Sequence, residues 1–166
     1  GDTYLGGDDL DRAIIEYWMK QMGVDHLEDQ KTLTQQLRLA AEKAKIALSA
    51  ADYFETEFAG EKVSITKQIF EDLITPIVQK TMDCCARAMK DAQLNISDIN
   101  TVLMVGGSTR VPFVKQKVAD FFAQPVNDSV NPDEVVALGA AVQADILAGN
   151  NSSMLLLDIT PLSLGI

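Results

Sequence analysis

At 166 residues, with 47% hydrophobic and 23% charged side chains, the chain has the make-up of a folded globular segment, not of a disordered one. A net charge of −10 argues against nucleic-acid partners, since a phosphate backbone would be repelled. No apolar run approaches the roughly 18 residues of a membrane span, and no basic, cleavable leader is visible, so neither a membrane nor a secreted destination is expected.

Cys84 and Cys85 are adjacent and offer no disulfide framework, which fits a reducing, cytoplasmic compartment. With His26 as its one histidine, the chain is not expected to build a zinc site. It starts at Gly1-Asp2 and stops inside the apolar run ending Leu164-Gly165-Ile166, and so reads as a piece of a longer protein.

In chain order, "GGDDLDRAIIEYWMKQMG" opens a helix with acids in its first turn. Leu10, Ala13, Ile14, Tyr17 and Trp18 form its apolar face, and Gly23 closes it. A second helix is expected over 32–48, with Leu33, Leu37, Ala40, Ala41, Ala44, Ala47 and Leu48 inward. The period then changes to two: Phe54, Thr56 and Phe58 alternate with Glu55 and Glu57, and "KVSI" follows the Gly60 turn, predicting a hairpin. Thr66 starts a further helix, which Thr75-Pro76 is expected to restart or kink, so a boundary is placed there.

Residues 76–92 repeat Ile77, Val78, Thr81, Met82, Cys85 and Met89 at helical spacing. A short buried strand is expected at 101–105, and a helix from Pro112 to about Phe122. The last helix begins in "NPDEVVALGAAVQADIL", with Asn131 as N-cap, Pro132 in the first position and Glu134 completing a capping box. Gly139, Ala140 and Ala141 give that helix a flat face able to press on a sheet. "GNNSS" is a small polar linker before "MLLLDITPLSLGI".

Three patches carry chemistry, each with a plain structural alternative. Glu42, Lys45 and Ser49 fall on one helix stripe: either a solvated face with a weak ion pair, or an acceptor, a cation and a hydroxyl suited to ribose and a base edge. "LMVGGSTRVP" puts Gly106, Gly107, Ser108 and Arg110 at the carboxyl end of a strand, where α/β sheets take ligands. That turn is either tight and merely polar, or a floor on which the backbone meets a ligand and Arg110 stacks on a purine. It matches neither GxxxxGK[ST] nor GxGxxG. Asp133 either complements its helix dipole or edges the same pocket.

The motifs "GDTYLGGDDLD", "AAEKAKIALS", "VLMVGGSTRVP", "VNPDEVVALGAAVQADIL" and "LLLDITPLSLGI" stand in the order and spacing of the DnaK-like, seventy-kilodalton heat-shock chaperones, which the sequence resembles over nearly its whole length. The resemblance implies an α/β, actin-like (ribonuclease H-like) ATPase fold, and within it the second lobe. Residues 1–74 would be an outer helix-and-hairpin subdomain, 75–150 an inner sheet-and-helix subdomain, and 151–166 the interdomain linker with the start of the peptide-binding domain. By position, Glu42, Lys45 and Ser49 would hold the adenosine of ATP or ADP, Gly106, Gly107, Ser108 and Arg110 would form its floor, Asp133 its edge, and Gly7 would lie near the cleft. Ile46 stands where some relatives have a second arginine, giving the purine an aliphatic wall.

The family's phosphate loops, catalytic lysine and magnesium carboxylates are not among these motifs, so the parent would hydrolyse ATP with magnesium while this chain alone is expected to be inactive. Leu155, Leu156, Leu157 and Asp158 read as a strand's buried run by pattern. By resemblance they are the allosteric linker, with weak self-association as a consequence of its exposed leucines. A short 50–65 hairpin, "CARAMKDA" and "AVQADILAGNNSSMLLLD" look like the HscA-type branch, which serves iron–sulfur cluster assembly with a J-domain co-chaperone and a scaffold protein. A general DnaK-type chaperone, a sugar-kinase lobe of the same architecture, and a non-enzymatic helical interaction domain are the alternatives.

Overall fold

A computed structural model of the chain describes residues 5–24, 31–58, 60–131 and 134–150. Asp133, Pro132, and the linker residues Leu155, Leu156, Leu157 and Asp158 lie outside them.

Helix α1 (Gly7–Met22) buries Leu10, Ile14 and Trp18, and ends on Gly23 in the left-handed region at φ 66°, where a side chain would be strained. At its start Gly6 N–H donates to Asp9 Oδ2 at 2.8 Å, satisfying a backbone donor that the helix leaves unpaired. Helix α2 (Lys31–Ala47) buries Leu37, Ala41 and Ala44, with Leu48 buried just beyond it. The small alanines let α1 and α2 pack closely.

Strands β1 (Tyr53–Phe58) and β2 (Glu61–Thr66) pair antiparallel, Phe58 opposite Glu61, with Gly60 at φ 88° in the turn. The hairpin's alternation turns Phe58, Val63 and Ile65 inward onto Trp18, whose indole N–H donates to the Ser64 carbonyl at 3.3 Å. Gln21 accepts from Ser64 N–H and donates to the same carbonyl, each at 3.1 Å, so an amide side chain stands in for a third strand at this edge.

Helix α3 (Lys67–Asp91) begins on Thr66, whose hydroxyl accepts from Ile69 N–H at 3.2 Å. It runs unbroken through Pro76, so the restart expected at Thr75-Pro76 is not made, and the boundary placed there falls inside one helix. The reason is packing. Phe70, Ile74, Val78 and Met82 recur every four residues as one buried ridge across the proline, while Pro76 itself faces solvent. Thr75 Oγ1 donates to the Glu71 carbonyl at 2.7 Å beside the site where proline has no N–H to give.

After α3, strand β3 (Val102–Leu103) pairs in parallel with β4 (Val126–Asn127), and helix α4 (Pro112–Phe122) provides the crossover that a parallel pair needs. The strand expected at 101–105 is thus two residues long, and only its neighbour Met104 is buried. Leu103 and Val105 are 50% and 44% exposed, because the strand pair is covered on the Met104 side alone. Helix α5 (Val135–Leu147) follows Asn131, whose carbonyl accepts from Val135 N–H at 3.0 Å, while the expected first position, Pro132, lies outside the described residues. Its flat Gly139–Ala141 face meets no sheet among the described residues, and Val136, Leu138, Val142 and Leu147 are exposed.

Two apolar clusters result. The larger joins α1, α2, the hairpin, the first half of α3 and Val111; the smaller is Met82, Met104 and Val118 with their neighbours.

Candidate functional site

The expected ligand residues come from three separate elements. Gly7 is the first residue of α1, Lys45 lies in the last turn of α2, and Ser108 sits in the 3-10 turn Gly107–Arg110 between β3 and α4. The turn is entered through Gly106 at φ 94°, a conformation that favours glycine, and is closed by Thr109, whose N–H and hydroxyl both reach the Gly106 carbonyl, at 3.0 and 2.6 Å. Val111, immediately after Arg110, is buried in the larger cluster and so anchors the turn to that core.

This anchoring brings the elements together at Gly7. A Cβ added there would lie 3.1 Å from Ser108 Oγ and 3.7 Å from Lys45 Nζ. Space that only glycine leaves open is therefore bordered by a hydroxyl and an ammonium. Lys45 Nζ donates to Asp11 Oδ2 at 2.8 Å, with Oδ1 also 2.8 Å away. Asp11 lies one turn after Gly7 on the same face of α1. Burial pushes the Asp11 carboxyl above its ordinary value, and the hydrogen bond and charge of Lys45 only partly oppose that; Glu42 and Asp8 push the same way as burial. Asp11 Oδ1 is buried, with the Lys45 ammonium beside it.

Ser49 is half-buried one turn beyond Lys45, its hydroxyl donating to the Lys45 carbonyl at 3.2 Å, while Glu42 and Arg110 are exposed. Ile46 is 65% exposed, an aliphatic side chain in open contact with solvent. Gly7, Lys45 and Ser108 are thus gathered, Gly106, Gly107 and Arg110 flank Ser108 in the same turn, and Asp133 lies outside the described residues. The ion pair expected within α2 is made instead between α2 and α1, because Asp11 offers Lys45 a partner away from solvent. Asp11 itself was not among the expected residues. Its signal was the four-residue step from Gly7 in "GGDDLD", hidden among neighbouring acids that read as a dipole complement.

A separate cleft of about 490 Å³ opens between α1 and α3, lined by Arg12, Tyr17, Lys20, Leu73, Ile77 and Lys80 among others; it contains none of the expected ligand residues.

The sequence model described as "Hsp70 protein" matches residues 1–166, the full chain. The chain belongs to the Hsp70 family. Among Hsp70 proteins it is 50% identical, over 168 aligned positions, to the "Chaperone protein HscA" of Pectobacterium atrosepticum, covering 100% of this chain and 27% of that protein. The "Chaperone protein HscA homolog" of Vibrio atlanticus is likewise 50% identical and the HscA of Klebsiella pneumoniae 48%, with the same coverage. The chain therefore spans about a quarter of the length of these relatives. Family membership carries the actin-like ATPase fold, with which the mixed helices and small sheets agree. The similarity lies with the HscA branch of the Hsp70 family.

Proposed function

We propose that this chain is the adenosine-binding lobe of an ATP-driven, HscA-type chaperone acting in iron–sulfur cluster assembly. The observation that carries the reading is the meeting of Gly7, Lys45 and Ser108 around a space that a single Cβ would fill. The site offers an ammonium and hydroxyls to a ribose, and the Gly106–Arg110 turn offers backbone and a planar guanidinium to a purine. Glu42 and Ser49 would complete the ribose and base contacts, Ile46 would wall the ring, and Asp133 would edge it.

Magnesium is assigned to none of these residues: among the described residues no three His, Cys, Asp or Glu side chains stand close enough to hold a metal ion. We assign ATP hydrolysis to the whole protein, and propose that the chain alone binds nucleotide without turning it over. We divide it into an outer subdomain at 1–74 and an inner one at 75–150, with α3 crossing the boundary and the larger apolar cluster reaching over it to Val78 and Val111. Residues 151–166, with Leu155–Leu157 and Asp158, would form the linker that answers nucleotide state and weakly self-associates. A J-domain co-chaperone and a cluster scaffold would be the partners, in the cytoplasm.

Titration of the chain with ADP tests this. Shifts confined to amides 7, 42–49 and 106–110, with a Kd weaker than low micromolar and lost in Arg110→Ala, are expected. An absence of shifts at 106–110 at millimolar ADP would overturn it.

A further inference from the structure

We propose that Asp11 is a positioning residue of this pocket: from α1 its carboxylate holds the Lys45 ammonium at the place where Gly7 and Ser108 meet, presetting the cation for an electronegative ligand atom. The identity of that ligand rests on the adenosine reading above; the preset cation does not.

Lysine carries a flexible four-carbon stem, and a lysine at the end of a helix ordinarily extends into water. Here the stem turns back across the helix interface, and Lys45 and Asp11 keep only 17% and 18% of their side chains exposed. The contact spans 34 positions in sequence and joins two helices that share the larger apolar cluster. Stability alone gives little reason for it, since apolar residues of similar volume at a half-buried ion pair are commonly as stable or better. Burial disfavours the Asp11 carboxylate more than Lys45 favours it, although both carboxylate oxygens lie 2.8 Å from Nζ. The pair instead fixes where the ammonium sits. Nζ lies 3.7 Å from the Cβ point of Gly7, which Ser108 Oγ borders at 3.1 Å. An ammonium has three donors, and a two-oxygen carboxylate takes at most two, so at least one is directed elsewhere. Asp8 and Glu42 are the other charges acting on Asp11, from α1 and α2.

The test uses the 166-residue chain as unsubstituted protein, Asp11→Asn, Asp11→Glu, Lys45→Ala and the Asp11→Asn/Lys45→Ala double variant. Lys45 Nζ is read by side-chain nitrogen NMR without ligand, and ADP affinity by calorimetry. In the ligand-free protein the Nζ proton signal is expected to be slowed in exchange, to collapse in Asp11→Asn, and to return in part in Asp11→Glu. ADP affinity is expected to fall about tenfold in Asp11→Asn, and the double variant to bind no more weakly than Lys45→Ala, because Asp11 acts through Lys45. Equal ADP affinity in folded Asp11→Asn, or additive losses in the double variant, would overturn the inference. Should Asp11→Asn not fold, fast Nζ exchange in the unsubstituted protein, or in a folded Asp11→Glu alongside unchanged affinity, overturns it equally. Failure of the unsubstituted chain to bind ADP overturns the adenosine reading instead, and Nζ exchange then decides the preset cation by itself.

Discussion

Gly7 and Ser108 sit so close that a methyl group on the glycine would come within 3.1 Å of the serine hydroxyl. The first turn of α1 and the turn after β3 thus meet so tightly that even a methyl group would push the serine hydroxyl aside. Alanine at a helix start ordinarily stabilises by about 0.4–1 kcal/mol relative to glycine. At position 7 the crowding offsets this gain, so Gly7→Ala is expected to leave the melting temperature within a few degrees while weakening ADP binding several-fold. Gly7→Val should weaken it further. Calorimetric titration beside thermal melts checks both; stronger binding in Gly7→Ala would contradict the arrangement.

Trp18 is fully buried against Phe54 and Phe58, whereas Ile46 stands 65% exposed beside Lys45. Trp18→Ala should cost about 3–5 kcal/mol by cavity formation and loss of the Ser64 hydrogen bond. Ile46→Ala should cost less than about 0.5 kcal/mol, yet reduce ADP affinity if the side chain walls the purine. Denaturant unfolding of the two variants separates packing from ligand contact.

Asp9 is held below its ordinary value chiefly by the Gly6 N–H, with Arg12 and Lys80 adding charge attraction. A carboxyl whose folded value lies below its unfolded one contributes stability in full above the unfolded value, near 3.8, and loses it as pH falls through the folded value. Asp9→Ala is therefore expected to be less stable at pH 7, by a few tenths to about 1 kcal/mol. The difference from the unsubstituted chain should close on acidification below about pH 3.8, which urea unfolding over a pH series reads directly.

Pro76→Ala should stabilise the chain. The substitution restores an N–H toward the Asp72 carbonyl in a helix that already runs unbroken through this position, and the side chain faces solvent. Loss of proline's restriction on the unfolded chain subtracts part of that gain, leaving about 1–2 kcal/mol. A lower denaturation midpoint in Pro76→Ala would show that the proline is needed where it stands.

Periodicity carried most of this architecture. Leu10, Ile14 and Trp18 on α1, Leu37, Ala41 and Ala44 on α2, and the alternation of Phe54 through Phe58 all turn inward as their spacing predicts. Local rules failed where long-range packing outweighed them. Pro76 signals a break, but the ridge from Phe70 to Met82 is continuous, and four buried side chains outweigh one missing hydrogen bond. The run 101–105 reads as a buried strand, yet burial needs neighbours on both faces, and this two-strand pair is covered on one. At the candidate site the pattern singled out Lys45 and Ser108 as parts of one cleft but not Asp11, since nothing local to "AAEKAKIALS" says that Lys45 turns toward it. Partner choice across helices is a property of the packed interface, not of either segment.

The unbroken course of α3 has a mechanical meaning. Its first half supplies the ridge of one apolar cluster and Met82 that of the other, so the two share a single rod. A push on the hairpin side is delivered to the β3–β4 side as a tilt, without passing through a loop that could absorb it. The softest point of that rod is the stretch around Pro76, where one rung of the hydrogen-bond ladder is absent. Bending there, rather than sliding of one cluster over the other, is the motion this architecture permits most cheaply.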